Sequence, residues 1–357
     1  MSRPDEGAAG ERVEPDPGFY VGDTARSPGD PDPDGAAGFV RHGRYEVLFA
    51  SVIGRSHIEA RTRPSGGKRY REDAVAIAAR GPWLVAALSD GVGSAANARY
   101  GATLCVESAV LCCLEALDCG SVSLGAPLRN TLDAGQLLWE AAPSGWGRPL
   151  LPPAPARELV GSFPESALAP NKALIENAVE TAFEQTHDRF QKMENPRRMA
   201  CTLHLIALHS ETGQMGVGYL GDGLMTGAWS FAQRELVAHK TTGEADTVCP
   251  ITDAGWDKYA SYQWISPQIG GTLGAMHVMS DGVADDCMGE LRFPPWARRM
   301  EERYRKPTPV AERCYELGLT LRDESISQDD LSVILLFRLP PNKVAQTTAR
   351  KEAIHAG

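Results

Sequence analysis

Apolar runs of strand length alternate along the chain with longer stretches of helical period. "YEVLFASVIG" (45–54) and "AVAIAAR" (74–80) are rich in β-formers, and "WLVAALSD" (83–90) is a nearly unbroken apolar run that stops at Asp90. Short runs of this kind predict buried strands. Residues 95–117, "AANARYGATLCVESAVLCCLEAL", have helical length instead, as do residues 171–194, "NKALIENAVETAFEQTHDRFQKME". In the second stretch Asn171 can cap the first turn, and Leu174, Ala178 and Phe183 form one face. "CTLHLIALHSETGQMGVGYLGDG" (201–223) predicts a hairpin turning at "HSETGQ". "GAMHVMSDG" (274–282) predicts a strand that runs into an aspartate, and "DDLSVILLFRL" (329–339) a last strand that leaves an acidic pair. "PPWARRMEERYRK" (294–306) reads as a solvated helix, and "PVAERCYELGLTLRDE" (309–324) as a helix packing through Val310, Cys314 and Leu317.

Between these elements the period is lost. Residues 1–42 begin with a stretch dominated by Pro, Gly, Asp and Glu, which predicts a disordered acidic tail or regulatory arm. One domain is expected over 43–340. It carries a Pro/Gly-rich insertion near 120–166, and residues 341–357 follow as a C-terminal tail. The tetrapeptide Ser-Asp-Gly-Val occurs at Ser89–Val92 and again at Ser280–Val283, but no tandem repeat surrounds it.

Composition narrows the function classes. The 357 residues are 43% hydrophobic and 23% charged, enough for a sizeable core. A net charge of −10 argues against a nucleic-acid binder, which needs a basic face for phosphates. The eight cysteines form no C-x-x-C pair, and four lie in or just after one apolar stretch. They read as reduced structural thiols, which points to the cytoplasm. The N-terminus lacks a signal-peptide pattern, and runs such as "VILLF" are too short to span a bilayer, so no membrane association is expected.

The candidate chemistry lies in five short acidic stretches. They are "REDA" (Glu72, Asp73), "SDGVG" (Asp90), "GDG" (Asp222), "SDGVADD" (Asp281, Asp285, Asp286) and "SQDDLS" (Asp329, Asp330). Each abuts an apolar, β-like run. An isolated Asp-Gly is usually a turn, and an acidic pair at a strand end is usually solvated surface. Five such corners, each at a strand edge, suggest carboxylates pushed into one cleft. Like charges held together in this way are stabilised by hard divalent cations such as Mg2+ or Mn2+, which take oxygen ligands. Two such ions can activate a water and clamp a phosphoryl group.

In this order the stretches resemble the metal-dependent protein serine/threonine phosphatases of the protein phosphatase 2C type, in their bacterial-like branch. The resemblance covers roughly residues 45–338. "GRSHIEARTRPSGGKRYREDA" is similar to the family's opening motif, "ALSDGVGSAANARYGA" to its D-G-x-G corner and helix, and "CTLHLIALHSETGQMGVGYLGDG" to its strand pair ending in G-D. "HVMSDGVADD" is similar to S-D-G-x-x-D, and "QDDLSVILL" to the closing D-(N/D)-x-(S/T) and last strand. The resemblance implies a four-layer α-β-β-α sandwich of two packed antiparallel sheets. It implies phosphoserine/phosphothreonine hydrolysis by direct attack of a water or hydroxide bridging two Mn2+ or Mg2+ ions, with a third ion in some members. Asp90 would bridge two ions, the Gly91 carbonyl would bind one of them, and Asp281 and Asp329 the other. Glu72 and Asp73 would hold bound waters, and Asp222 and Asp285 would take the third ion. Asp330 stands where the family often has Asn.

The expected phosphate grip is Arg69 or Lys68, with Arg71 close by. Arginine can hold phosphate with two parallel bonds, whereas lysine acts as a point charge. Val92 stands where many members carry a histidine proposed as general acid. His57 is the nearest substitute in sequence, set against the bland reading of a structural histidine. Residues 286–325 would form the variable flap. A phosphorylated protein, such as a Ser/Thr kinase or its target, is the expected partner. A second reading is a catalytically weak domain of the same fold that binds a partner or senses a signal. A third, with an aspartyl nucleophile, expects D-x-D-x-(T/V), where this chain has "SDGVGS".

Overall fold

The computed structural model describes residues 35–60, 71–117, 171–229, 233–235, 248–270, 273–287, 295–306, 308, 310–324 and 327–340. Two antiparallel sheets pack face to face. One runs in the order β1 (Gly35–His42), β2 (Tyr45–Val52), β11 (Leu331–Arg338), β10 (Leu273–Met279), β7 (Leu224–Trp229), β8 (Gln233–Glu235). The other runs β3 (Ala74–Arg80), β4 (Trp83–Ser89), β5 (Leu203–His209), β6 (Met215–Leu220), β9 (Ser261–Ile265). Helices α2 (Ala98–Leu117) and α3 (Lys172–Gln191) cover the second sheet; α4 (Pro295–Tyr304) and α5 (Val310–Glu324) cover the first. The short helix α1 (Arg55–Ala60) leads out of β2. The fold is an α-β-β-α sandwich, as the motif order implied.

Strand alternation explains the layers. In β3, Val75, Ile77 and Ala79 point into the core between the sheets, while Ala74, Ala76 and Ala78 face the helices. Small residues on the outer face let the helices come close. In β6 this goes further: a Cβ on Gly216 would lie 2.6 Å from Ile175 Cγ2, and one on Gly218 would lie 2.5 Å from Phe183 Cε2. Asn171 caps α3 as its sequence predicts, accepting from the Leu174 amide at 2.9 Å. By length and composition α2 could cross a membrane, contrary to the sequence expectation that no segment is long enough. Most of its apolar side chains, including Cys105, Ala109 and Cys113, are buried against the second sheet and α3. The described cysteines form no disulfide among themselves.

Two boundary expectations are corrected. Residues 35–42 belong to the sheet, not to a tail: β1 pairs with β2 from Gly35↔Val52 to His42↔Tyr45. The Gly/Ala-rich composition of β1 hides this, because its residues are selected by close neighbours. A Cβ on Gly38 would lie 2.6 Å from the Phe49 ring, and the Gly38 carbonyl accepts from Cys314 Sγ at 3.0 Å. The stretch assigned to a flap, 286–325, contains α4 and α5, which form the outer layer of the first sheet. The reading of 294–306 as a solvated helix fails too. Its few apolar residues, Trp296, Met300 and Tyr304, fall four apart on one buried face. Arg313 locks this layer down, meeting the buried Glu46 at 2.6 Å and donating to the Tyr304 carbonyl at 2.5 Å. The insertion near 120–166 lies outside the described residues.

Candidate metal site

The first Ser-Asp-Gly-Val corner leaves β4 and is held by the start of the β5 segment. The Asp90 amide donates to Thr202 Oγ1 at 2.9 Å, and the Thr202 amide donates back to the Asp90 carbonyl at 2.8 Å. Ser89 Oγ donates to the Thr202 carbonyl at 2.6 Å, and the Val92 amide to the Ala200 carbonyl at 2.9 Å. Glycine at 91 serves close approach. A Cβ there would lie 2.9 Å from both the Glu72 carbonyl oxygen and Ala98 Cβ.

The second corner leaves β10 and is tied to β11. The Ser280 amide donates to the Ser332 carbonyl, and the Ser332 amide donates to Ser280 Oγ, both at 3.0 Å. The Gly282 amide donates to Asp281 Oδ1 at 2.5 Å. Asp222 sits between β6 and β7, after Gly221, whose φ of 137° suits glycine. These three strand ends converge: Asp90, Asp222 and Asp281 bring ligand oxygens within 4.8 Å of one another. Asp222, which the resemblance places at a third ion, lies in this cluster with Asp90 and Asp281.

The cluster is strained electrostatically. Burial and then the charges of Asp73, Asp281 and Asp329 raise Asp90 well above the ordinary carboxylate range. Burial and the Asp330 charge do the same to Asp73. Asp281 is pushed up to about 6 by burial and then by Asp222 and Asp329. Both Asp73 oxygens are fully buried. Half-buried carboxylates held this close and offering oxygen alone fit a hard divalent cation.

The remaining candidates have distinct surroundings. Asp329 is exposed, accepts from the Asp330 amide at 2.9 Å, and bears on Asp73, Asp90 and Asp281 through its charge. Glu72 is buried, and its amide donates to Asp330 Oδ2 at 2.5 Å. Asp285 is exposed in the single π-helical turn Val283–Cys287 and stands outside the tight cluster. His57, the possible general acid by its sequence position, is buried with Nδ1 3.0 Å from Asp330 Oδ1. Arg71 is fully buried and donates from Nη1 to the Ser51 carbonyl at 3.1 Å. Arg69 and Lys68 lie outside the described residues. Sequence reading missed Thr202, which carries no charge or motif and is revealed only by its contacts across the strand ends. Ser332 fills the Ser/Thr position of the closing motif, but its tie to Ser280 is not legible there.

A family model described as protein phosphatase 2C matches residues 53–314. No curated protein sequence matches the chain. Among solved structures, it is similar to RsbX in complex with magnesium, at 12% identity and TM-score 0.41, covering 84% of this chain and 98% of that one. It is also similar to the Mycobacterium tuberculosis serine/threonine phosphatase PstP/Ppp, at 13% identity and TM-score 0.43, covering 83% and 99%. The S. agalactiae serine/threonine phosphatase aligns at 10% identity and TM-score 0.44, covering 82% and 99%.

Proposed function

Because the chain belongs to the protein phosphatase 2C family, we propose that it hydrolyses phosphoserine and phosphothreonine in proteins with the help of Mg2+ or Mn2+. The observation that carries this reading is the convergence of Asp90, Asp222 and Asp281 from three separate strand ends. In this reading those carboxylates, with Asp329 and the Gly91 carbonyl, hold the cations, while Glu72 and Asp73 orient water at the site and Asp285 stands at its rim. Divalent cations supply Lewis acidity there: they make water more acidic and offset the charge of phosphoryl oxygens. The chain contributes the geometry. Thr202 fixes the backbone of Asp90 at both its amide and its carbonyl. Arg69 or Lys68 takes the phosphate. The substrate is a phosphorylated protein, with a Ser/Thr kinase or its target as the expected class.

The test is hydrolysis of phospho-Ser, phospho-Thr and phospho-Tyr peptides with Mn2+, by wild type, Asp90→Asn and Asp281→Asn. Wild type is expected to prefer the first two peptides, and each variant to lose about 100-fold or more in kcat. An Asp281→Asn enzyme with an unchanged rate would sink the assignment. Cation binding without turnover on any phosphoprotein would instead favour the partner-binding reading.

A further inference from the structure

Asp330 is 2% exposed, and three N–H donors converge on its side chain. The Gly54 amide donates to Oδ1 at 2.7 Å, His57 Nδ1 meets the same oxygen at 3.0 Å, and the Glu72 amide donates to Oδ2 at 2.5 Å. A carboxylate has no hydrogen to give, so His57 carries a proton on Nδ1. The backbone of the same residue makes further ties. Its amide donates to Asp329 Oδ1 at 2.9 Å, and its carbonyl accepts from Ser280 Oγ at 3.5 Å. Gly282 approaches that carbonyl so closely that a Cβ would overlap it. Helix α1, which carries His57, is fastened to the same loop, with the Ser56 amide 3.1 Å and its Oγ 2.5 Å from the Gln328 carbonyl. One residue therefore joins the start of α1, the Glu72–Asp73 corner, Asp329 and the Asp281 corner.

We propose that Asp330 and His57 form a buried positioning pair, which sets the spacing of Glu72, Asp329 and Asp281 and thereby the hold of the site on divalent cations. The inference rests on reading the cluster as a cation site, but not on turnover. It requires a carboxylate at 330. An asparagine offers one accepting oxygen, so its amide group would face either the Glu72 amide or the Gly54 amide and His57. It also assigns His57 a single duty, to donate from Nδ1 to Asp330. Asparagine at 57 could make that bond through Nδ2; alanine could not.

The experiment is calorimetric titration of the full chain with MnCl2 alone, paired with steady-state hydrolysis of p-nitrophenyl phosphate at saturating Mn2+. The proteins are wild type, Asp330→Asn, His57→Ala, His57→Asn and the double variant Asp330→Asn/His57→Ala. Asp330→Asn is expected to weaken Mn2+ binding about tenfold, the low end for groups that orient metal ligands, and His57→Ala by about half as much. His57→Asn should return to within about twofold of wild type, and the double variant should be no weaker than Asp330→Asn, since His57 acts through Asp330. KM should stay near the wild-type value in every variant. Losses that multiply in the double variant, a His57→Asn as weak as His57→Ala, or unchanged affinity throughout would overturn the pairing. Absence of Mn2+ binding in wild type would overturn it too. If Asp330→Asn does not fold, the contrast between the two His57 variants decides. Tight Mn2+ binding without turnover of p-nitrophenyl phosphate or of any phosphoprotein would defeat the proposed function and leave the pairing to the titration.

Discussion

At the scale of single residues, the candidate site depends on groups that have no chemistry of their own. Thr202 is the clearest case. Its hydroxyl accepts the Asp90 amide and its own amide returns a bond to the Asp90 carbonyl. Thr202→Val keeps the shape but leaves the Asp90 amide without its acceptor. It is expected to cost about 1–3 kcal/mol in urea unfolding, the penalty of an unmade buried hydrogen bond. Thr202→Ser should recover most of that loss, and equal losses in the two variants would show that the methyl group matters and the hydroxyl does not. Asp90 and Asp281 were legible from sequence because each ends an apolar run. Thr202 was not, because a threonine beside a strand is common and its partner lies 112 positions away.

At the scale of elements, apolar runs located nearly all of the central strands and both helices of the second sheet. The misreadings of β1 and α4 share one cause. In both the apolar signal is thin, since close packing by a neighbour replaces bulk in the element itself. Gly38 against Phe49, and Trp296, Met300 and Tyr304 on one face of an otherwise charged helix, are sufficient once a sheet is there to receive them. The same logic governs β6 beneath α3. Gly218→Val would drive a side chain into Phe183 and Val179. It is expected to destabilise by about 1–3 kcal/mol, as overpacked cores do, measured by chemical denaturation. No loss of stability would mean that α3 can retreat from the sheet, against the tight contact described.

At the scale of the whole molecule, the two sheets bring strand ends from distant parts of the chain to one edge and confine like charges there. Stability should follow that confinement. Asp281 has a folded pKa of about 6 against an ordinary 3.8, so the folded protein binds more protons than the unfolded chain between those values. Its contribution is therefore largest in acid and is lost as pH rises from about 4 to 6. Asp73 and Asp90 act in the same direction. In EDTA the melting temperature should fall across this window, apart from any general acid unfolding. Saturating Mn2+ should raise it at pH 7 and flatten the slope, since a ligand bound only by the folded state stabilises it. A melting temperature indifferent to Mn2+ at pH 7 would argue against a cation at the cluster.

The sequence by itself determined the apolar segments, the order of the acidic corners and the family they spell, because buried strands must be apolar and the aspartates mark where they stop. Periodicity carries that information locally, residue by residue. Only the tertiary structure decided which corners meet. It drew Asp222 into the cluster with Asp90 and Asp281, left Asp285 outside it, and turned His57 onto Asp330. The physical reason is sheet packing: the convergence of strand ends depends on strand order and register, and those are set by long-range pairings that no local pattern encodes.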